Sequence, residues 1–370
     1  MKFIDIIGTY ATAKVLTNKI DDNSYKQIHE LCNQEFTMDS NIVIMPDVHA
    51  GKGCVIGTSL LVRDKVVPSL VGADIGCGVR VARFPKKNID FDKFESFTRS
   101  FVNQNVSANR IKKSDWKKQI DEVEDIMHNL KASFSNDFIG KFVDSIGTLG
   151  GGNHFIEIDQ DEDSYYLVIH TGSRFFGNMV CSHYQELAQK FSNLNNFSYL
   201  EGEYLENYLA DTRITQRYAE INRLIIMVEL LKQLDVWDYE TFESVHNYID
   251  FSYDTPVLRK GAVSANLGQE LIIPINMRDG SLICIGKGNK EYNYTAPHGA
   301  GRLFSRSEAK EVITDEEYYN SMNGIYTKSL NKNNKAESCF AYKGLEDILP
   351  FIQELVEVKA IIKPIYNLKG

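Results

Sequence analysis

The sequence predicts an α+β fold in one large domain, residues 1–370, with helical insertions near 114–135 and 204–234. Three observations lead there. Short β-branched apolar runs recur between turn signals, and helical stripes fall among them without the regular alternation that a doubly wound parallel sheet demands. The chain also shows no internal repeat and no low-complexity linker at which to divide it. Its 370 residues, 43% of them hydrophobic, can fill a substantial core.

Taken in order, strands are expected at "NIVIMP" (41–46), "SLLVRDKVV" (59–67), "YYLVIH" (165–170), "ELIIPI" (270–275) and "SLICIG" (281–286). In the first insertion Ser114 is the expected N-cap, followed by Trp116, Ile120, Val123, Met127 and Leu130, one apolar stripe at helical spacing. A long helix is expected at 204–234, and another after Ser305 in "SRSEAKEVI". Pro350 is placed at the start of a closing helix, "PFIQELVEVKAII", because proline is tolerated in a first turn.

Composition narrows the class. No stretch approaches the roughly 20 uncharged apolar residues of a membrane span. The N-terminus, "MKFIDIIGTYATAK", interrupts its short apolar run with Asp5, so it is not read as a targeting segment. Six scattered cysteines with no CxxC pair argue against a disulfide scaffold and for a reducing cytoplasm. The net charge of -9 weighs against nonspecific coating of nucleic acid. It leaves room for a local basic patch, with Arg110, Lys112, Lys113, Lys117 and Lys118 in one cluster and Lys328, Lys332 and Lys335 in another. The bland account of either cluster is a solvated face.

The chemistry concentrates at glycine-rich places. "LGGGNHFIEI" gives up three side chains at Gly150, Gly151 and Gly152 just before Asn153 and His154, either to make a turn or to let a ligand approach the backbone. His170 ends an expected strand ahead of "TGSR"; His246 sits in "SVHNYID", His298 in "PHGAGR" and His49 in "MPDVHAGKG". Each alone reads as a satisfied polar residue, whereas several at strand ends suggest ligands. His29, His128 and His183 are expected to be surface or packing residues. In "VGADIGCGVR", Asp74 and Cys77 stand three apart among glycines, so one turn could aim a carboxylate and a thiolate at one point. Such a set suits borderline divalent metals, and the carboxylate widens the choice toward manganese. The alternative is a buried cysteine in a tight turn capped by Asp74.

Together, "MPDVHAGKG", "VGADIGCG", "LGTLGGGNHFIEI", "VIHTGSR", "VHNYID", "LRKGAVSA", "HGAGRLFSR" and "AYKGLEDI" resemble the RtcB family of RNA ligases, in family order across residues 41 to 348. The resemblance implies one catalytic domain of mixed and antiparallel sheets around a central metal cleft. It implies two manganese ions bridged by Cys77, one completed by Asp74 and His154, the other by His170 and His246. It makes His298 the residue that takes GMP from GTP. It places Asn153, Glu157, Asn276, Ser281, Gly299, Ala300, Gly301 and Lys343 around the nucleotide. The implied substrate is RNA broken to a 3′-phosphate or 2′,3′-cyclic phosphate and a 5′-hydroxyl, in tRNA splicing or repair, with a release-factor-like or other repair partner. His49 matches a motif without an assigned role.

The chain departs from the family pattern at "IIPINMRDGS", where Asn276 and Arg278 replace a small residue and a glycine, and at Pro297, where cysteine is frequent. The first departure is expected to reshape the edge of the guanine pocket. Two rival functions are a metal-dependent cyclic phosphodiesterase that does not ligate, and a noncatalytic RNA-binding accessory protein.

Overall fold

The computed structural model describes residues 3–103 and 115–370. Two large sheets organise it. A six-stranded sheet runs in the order Ile4–Ile7, Thr12–Val15, Ile42–His49, Ile56–Leu61, Val257–Lys260, Asn247–Asp250. Its neighbours are antiparallel except Thr12–Val15 against Ile42–His49. A seven-stranded sheet runs Glu240–Val245, Gly78–Pro85, Ser164–Thr171, Phe155–Gln160, Val356–Lys369, Gly280–Gly286, Glu270–Asn276, antiparallel throughout. The mixed α+β class is therefore as expected.

Alternation decides what each face of the second sheet meets. Ala82, Phe84, Ile156, Ile158, Leu167 and Ile169 turn outward into the main core with the helices. Val79, Val81, Phe155, Tyr166, Val168, Ile272, Ile283 and Ile362 turn inward and pack on one another. These inward residues come from both ends of the strand order, so the sheet is curled until its edges approach. The Ile272 N–H, on one edge strand, donates to Ser244 Oγ on the other at 3.1 Å.

Helices form where the stripes predicted them. Lys117–His128 buries Val123 and Met127, with Trp116 as its N-terminal flanking residue; Ser114, Arg110, Lys112 and Lys113 lie outside the described residues. The second insertion is one helix, Gly202–Gln233. Lys328 pairs with Asp92, and Lys332 and Lys335 with Asp315, so two carboxylates offset part of that cluster's charge. His29 and His183 lie on helices and make local packing contacts, and His128 ends one.

The closing segment overturns an expectation. Pro350 lies inside the short helix Leu345–Ile352, and Val356–Lys369 is a strand rather than the continuation of a helix. Its first residues, "VEVKAII", alternate and are β-branched, which suits a pleated surface. Between Phe155–Gln160 and Gly280–Gly286 it finds open ladder edges on both sides, and tertiary pairing outweighs the proline signal. The expected strand 59–67 is also broken, into Ile56–Leu61 and Lys65–Val66.

Candidate active site and metal centre

Antiparallel pairing brings four strand ends to one edge of the curled sheet. Cys77 precedes Gly78–Pro85, His154 precedes Phe155–Gln160, His170 is near the end of Ser164–Thr171, and His246 follows Glu240–Val245. Cys77 Sγ lies 3.5 Å from His154 Nε2 and 3.3 Å from His170 Nε2. His170 Nε2 is 3.3 Å from His246 Nε2, and Asp74 Oδ2 is 3.0 Å from His154 Nε2. Five donors predicted from scattered motifs thus converge.

The donor set fits a metal. His154 Nδ1 lies 2.9 Å from the Leu149 carbonyl and 3.1 Å from the donor Nη1 of Arg174, while its Nε2 faces a carboxylate oxygen of Asp74 and the Cys77 sulfur. Only a proton or a cation between such atoms makes the contact favourable. Thiolate, imidazole and carboxylate together suit a borderline divalent ion.

Burial tunes the donors. It drives the His170 and His246 imidazoles well below their usual range, and neighbouring histidines push the same way. It pushes the Cys77 thiol well up, with the Asp74 charge adding to it. Burial would raise Asp74 too, but its hydrogen bond to His154, with the charges of His154 and Arg174, holds it at about 2.

His298 arrives from the other sheet's side, after the short strand Thr295–Pro297, with its ring centroid 4.9 Å from that of His246. Its Nδ1–H donates to Asp47 Oδ2 at 2.7 Å, and its backbone N–H reaches the same oxygen at 3.2 Å. Asp47 is fully buried in Ile42–His49. The pairing fixes the tautomer and leaves Nε2 with the lone pair.

Four of the five donors share a cavity of about 960 Å³ with His298. Asp74, Cys77, Asn153, Glu157, His170, His246, Asn276, His298, Gly299, Ala300 and Gly301 line it, as does His49. Three predicted residues do not. His154 is buried behind Asp74 and Cys77; Ser281 lies opposite Pro274 in the ladder; and Lys343 Nζ donates to the carbonyls of Pro46 and Val48, both at 3.0 Å. Asn276 spends its amide on its own turn, with Oδ1 accepting from the Arg278 and Asp279 N–H groups and Nδ2 donating to Asp279. The helix after Ser305, Arg306–Val312, starts with a capping box between Ser305 and Glu308, and Arg306, ion-paired with Glu337 at 3.3 Å, lines the cavity.

A model of the family tRNA-splicing ligase RtcB matches residues 27–370. The chain belongs to the RtcB family. The RNA-splicing ligase RtcB of Escherichia coli K12 is 30% identical over 89% of this chain and 90% of its own length. The tRNA-splicing ligase RtcB of Nanoarchaeum equitans is 26% identical over 98% of this chain and 95% of its own, and that of Methanococcus maripaludis 26% over 88% and 87%.

Within this chain, local structure explains the glycines of "LGGGNHF". Gly150 has φ +78°, and a Cβ there would fall 1.7 Å from Arg174 Nη2. Arg174, itself at φ 58°, passes its guanidinium over Gly150 to reach Thr148 Oγ1 at 3.3 Å. Gly151 has open space, with nothing within 4 Å of where a Cβ would stand. Gly150→Ala is therefore expected to cost about 1–2 kcal/mol in backbone strain and displace Arg174. Gly151→Ala should stay within about 0.5 kcal/mol. Chemical denaturation of both variants checks this, and equal losses would refute the assignment.

Motif reading left out several residues that the tertiary structure adds. Asp47 stood within a quoted motif, and its signal was a charge in an otherwise apolar strand. Lys369, next to the last residue, is buried and lines the cavity near Glu157 and Glu337, with no local signal at all. On the long helix, Arg223 Nη1 donates to the carbonyls of Gly76 (2.6 Å) and Thr171 (2.8 Å). Asn222 Nδ2 adds those of Thr148 and Gly172. The second insertion thereby ties together the three loops carrying Cys77, His154 and His170.

Proposed function

We propose that this protein is an RNA ligase that uses GTP and manganese to join a 3′-phosphate or 2′,3′-cyclic phosphate end to a 5′-hydroxyl, through GMP carried on His298. One observation carries the proposal: the His298 tautomer set by Asp47, beside five converged metal donors. Family membership and the names of the relatives agree with it.

In this reading His298 Nε2 attacks the α-phosphorus of GTP, the P–N bond forms, and pyrophosphate leaves with the broken P–O bond. Asp47 stabilises the positive charge that develops on the ring, as a buried carboxylate does for any imidazole turned nucleophile. A 3′-phosphate oxygen then takes the GMP from nitrogen, a cyclic end having first been opened by water. Attack of the 5′-hydroxyl on the RNA phosphorus expels GMP and seals the strand.

Cys77 would be shared between two ions, with Asp74 and His154 on one and His170 and His246 on the other. Bound there, the ions would neutralise charge gathering on phosphoryl oxygens. Asn153, Glu157 and Gly299–Gly301 on the wall are the proposed nucleotide contacts, with Lys369 better placed for one than Lys343. A cytoplasmic setting fits six buried cysteines, all of them free. Among the described residues no helix is long and apolar enough to cross a membrane.

Incubation with GTP labelled at the α-phosphate and Mn2+, followed by mapping of the acid-labile label, tests the proposal. Label on His298 and a sealed RNA product support it; opening of a cyclic end with an unlabelled protein points to the phosphodiesterase.

Metal uptake should also depend on pH in a defined direction. The two imidazoles are neutral throughout, whereas the raised Cys77 thiol must release a proton to bind. Apparent Mn2+ affinity is expected to rise about tenfold per pH unit across the neutral range. Mn2+ titrations at a series of pH values check this; a flat profile would remove the Cys77 thiolate from the centre.

A further inference from the structure

His49 is the motif histidine that the proposed reaction leaves idle, and its place follows from a break in a strand. Ile42–His49 pairs with Ile56–Leu61 at Val43 and Ile44 and then only at His49, opposite Ile56, so residues 45–48 bulge past Gly57 alone. Gly57 lets them close in, since a Cβ there would fall 3.1 Å from Asp47 Oδ1. The bulge leaves carbonyls outside the ladder, and side chains take them. Lys343 Nζ donates to those of Pro46 and Val48, and His49 Nδ1 lies 2.9 Å from that of Asp47 between them. A carbonyl has no proton to give, so His49 Nδ1–H donates and Nε2 keeps its lone pair. Nε2 has no partner among the described residues, and the half-buried ring lines the cavity.

Asp47 therefore orients two imidazoles, His298 by its carboxylate and His49 by its carbonyl. Ile56, opposite His49, brings them to one wall. The point where a Cβ on Gly261 would stand is 2.1 Å from Ile56 Cγ2 and 3.2 Å from His298 Cε1. Past His49, residues 50–53 are held from two sides. The Gln27 amide exchanges hydrogen bonds with the Gly51 backbone at 2.9 and 3.1 Å, and Lys260 Nζ donates to the Lys52 carbonyl at 2.5 Å. Lys52 is exposed, lines the same cavity and has no ion pair among the described residues. Asp21, the acid on this side of the cavity, is occupied as the N-cap of Asp22–Cys32.

We propose that His49 and Lys52 form the subsite of the incoming 5′-hydroxyl strand, with His49 Nε2 as general base for the hydroxyl and Lys52 paired with that strand's first phosphate. In the ligation reading on which this rests, a 3′-phosphate attacks as an anion and the His298 tautomer is already fixed, so neither needs a base. The 5′-hydroxyl has a proton to lose. Water opening a cyclic end has one too, but brings no phosphate for Lys52. At sealing the hydroxyl oxygen bonds to the RNA phosphorus, the P–O bond to GMP breaks, and GMP leaves as an anion. The hydroxyl proton passes to His49 Nε2, and the imidazolium then releases it to solvent. Burial keeps this ring below the usual imidazole range; the charges of His298 and Lys343 act the same way, and the Asp47 carbonyl and carboxylate oppose them. The base is thus unprotonated at neutral pH.

Single-turnover rates for the wild type, His49→Ala and His49→Gln test this in three reactions with GTP and Mn2+: labelling of His298, opening of a cyclic end, and sealing of RNA already carrying GMP on its 3′-phosphate. In both variants sealing should fall about 100-fold further than labelling or opening. The wild-type sealing rate should be level above neutral pH and decline in acid, whereas that of His49→Ala should climb with pH. Free imidazole should restore sealing to His49→Ala. Lys52→Ala should raise KM for the 5′-hydroxyl strand about tenfold with kcat little changed. The Gln variant keeps a donor for the Asp47 carbonyl, and thermal melts with Mn2+ binding report folding. Sealing by His49→Gln within about threefold of wild type, or opening and labelling that fall as far as sealing, would overturn the proposal. A wild type that neither labels His298 nor seals sinks the ligase reading itself.

Discussion

His298→Ala is expected to take up no label from GTP, and Asp47→Asn, with the ring still in place, to form the adduct about 10³–10⁴-fold more slowly than the wild type. In the proposed reaction the first loss is that of the nucleophile itself. The second follows from one oxygen. Asp47 Oδ2 accepts both the ring Nδ1–H at 2.7 Å and the backbone N–H of His298 at 3.2 Å, so the carboxylate sets the ring's orientation and its tautomer together. An asparagine amide facing Nδ1 would donate to it and move the ring proton to Nε2, away from the lone pair that attacks. It would also withdraw the negative charge that offsets the developing imidazolium. Single-turnover labelling measures the rate, and Mn2+ binding reports whether the metal donors are intact. Asp47→Asn within about threefold of wild type, with unchanged metal binding, would show that another group holds the tautomer.

Cys77→Ala is expected to weaken Mn2+ binding by about 100-fold or more and to lower the bound stoichiometry from two toward zero. Sγ is the hub of the cluster, within 3.5 Å of His154 Nε2 and 3.3 Å of His170 Nε2. Without it, Asp74 with His154 forms one incomplete set and His170 with His246 another. His246→Ala makes the contrast, because its Nε2 meets the cluster at His170 Nε2, 3.3 Å away. It should leave one ion bound through Asp74, Cys77 and His154. Metal analysis after gel filtration distinguishes the two variants. Full loading of Cys77→Ala would exclude a shared sulfur, and complete loss in His246→Ala would mean that the two halves are not separable.

The sequence by itself was informative wherever chemistry is written in short segments. Asp74, Cys77, His154 and His298 lie in glycine-rich motifs and His170 stands just before one, where a strand end needs a tight turn, whereas His246 sits in "SVHNYID" with no glycine beside it. The strands expected at 41–46, 165–170, 270–275 and 281–286 were legible for a similar local reason, namely β-branched apolar runs between turn signals, and the long helix expected at 204–234 runs Gly202–Gln233. Strand 59–67 and the segment after Pro350 were misjudged at the points where a local signal met a tertiary one. A proline tolerated in a first turn gave no warning that both neighbouring strands would present free edges to Val356–Lys369.

What the sequence determined, then, is where the candidate side chains stand, Asp74, Cys77 and the histidines of the short motifs, since these identities reside in single residues and their immediate turns. Only the tertiary structure decided which groups meet. Asp47 and His298 are 251 positions apart, Arg223 reaches Gly76 across 147, and Lys369 comes to Glu157 on a closing strand. Contacts at such separation arise from sheet order and curl, which minimise exposed apolar area and unpaired backbone over the whole chain, and no local window of sequence contains that sum.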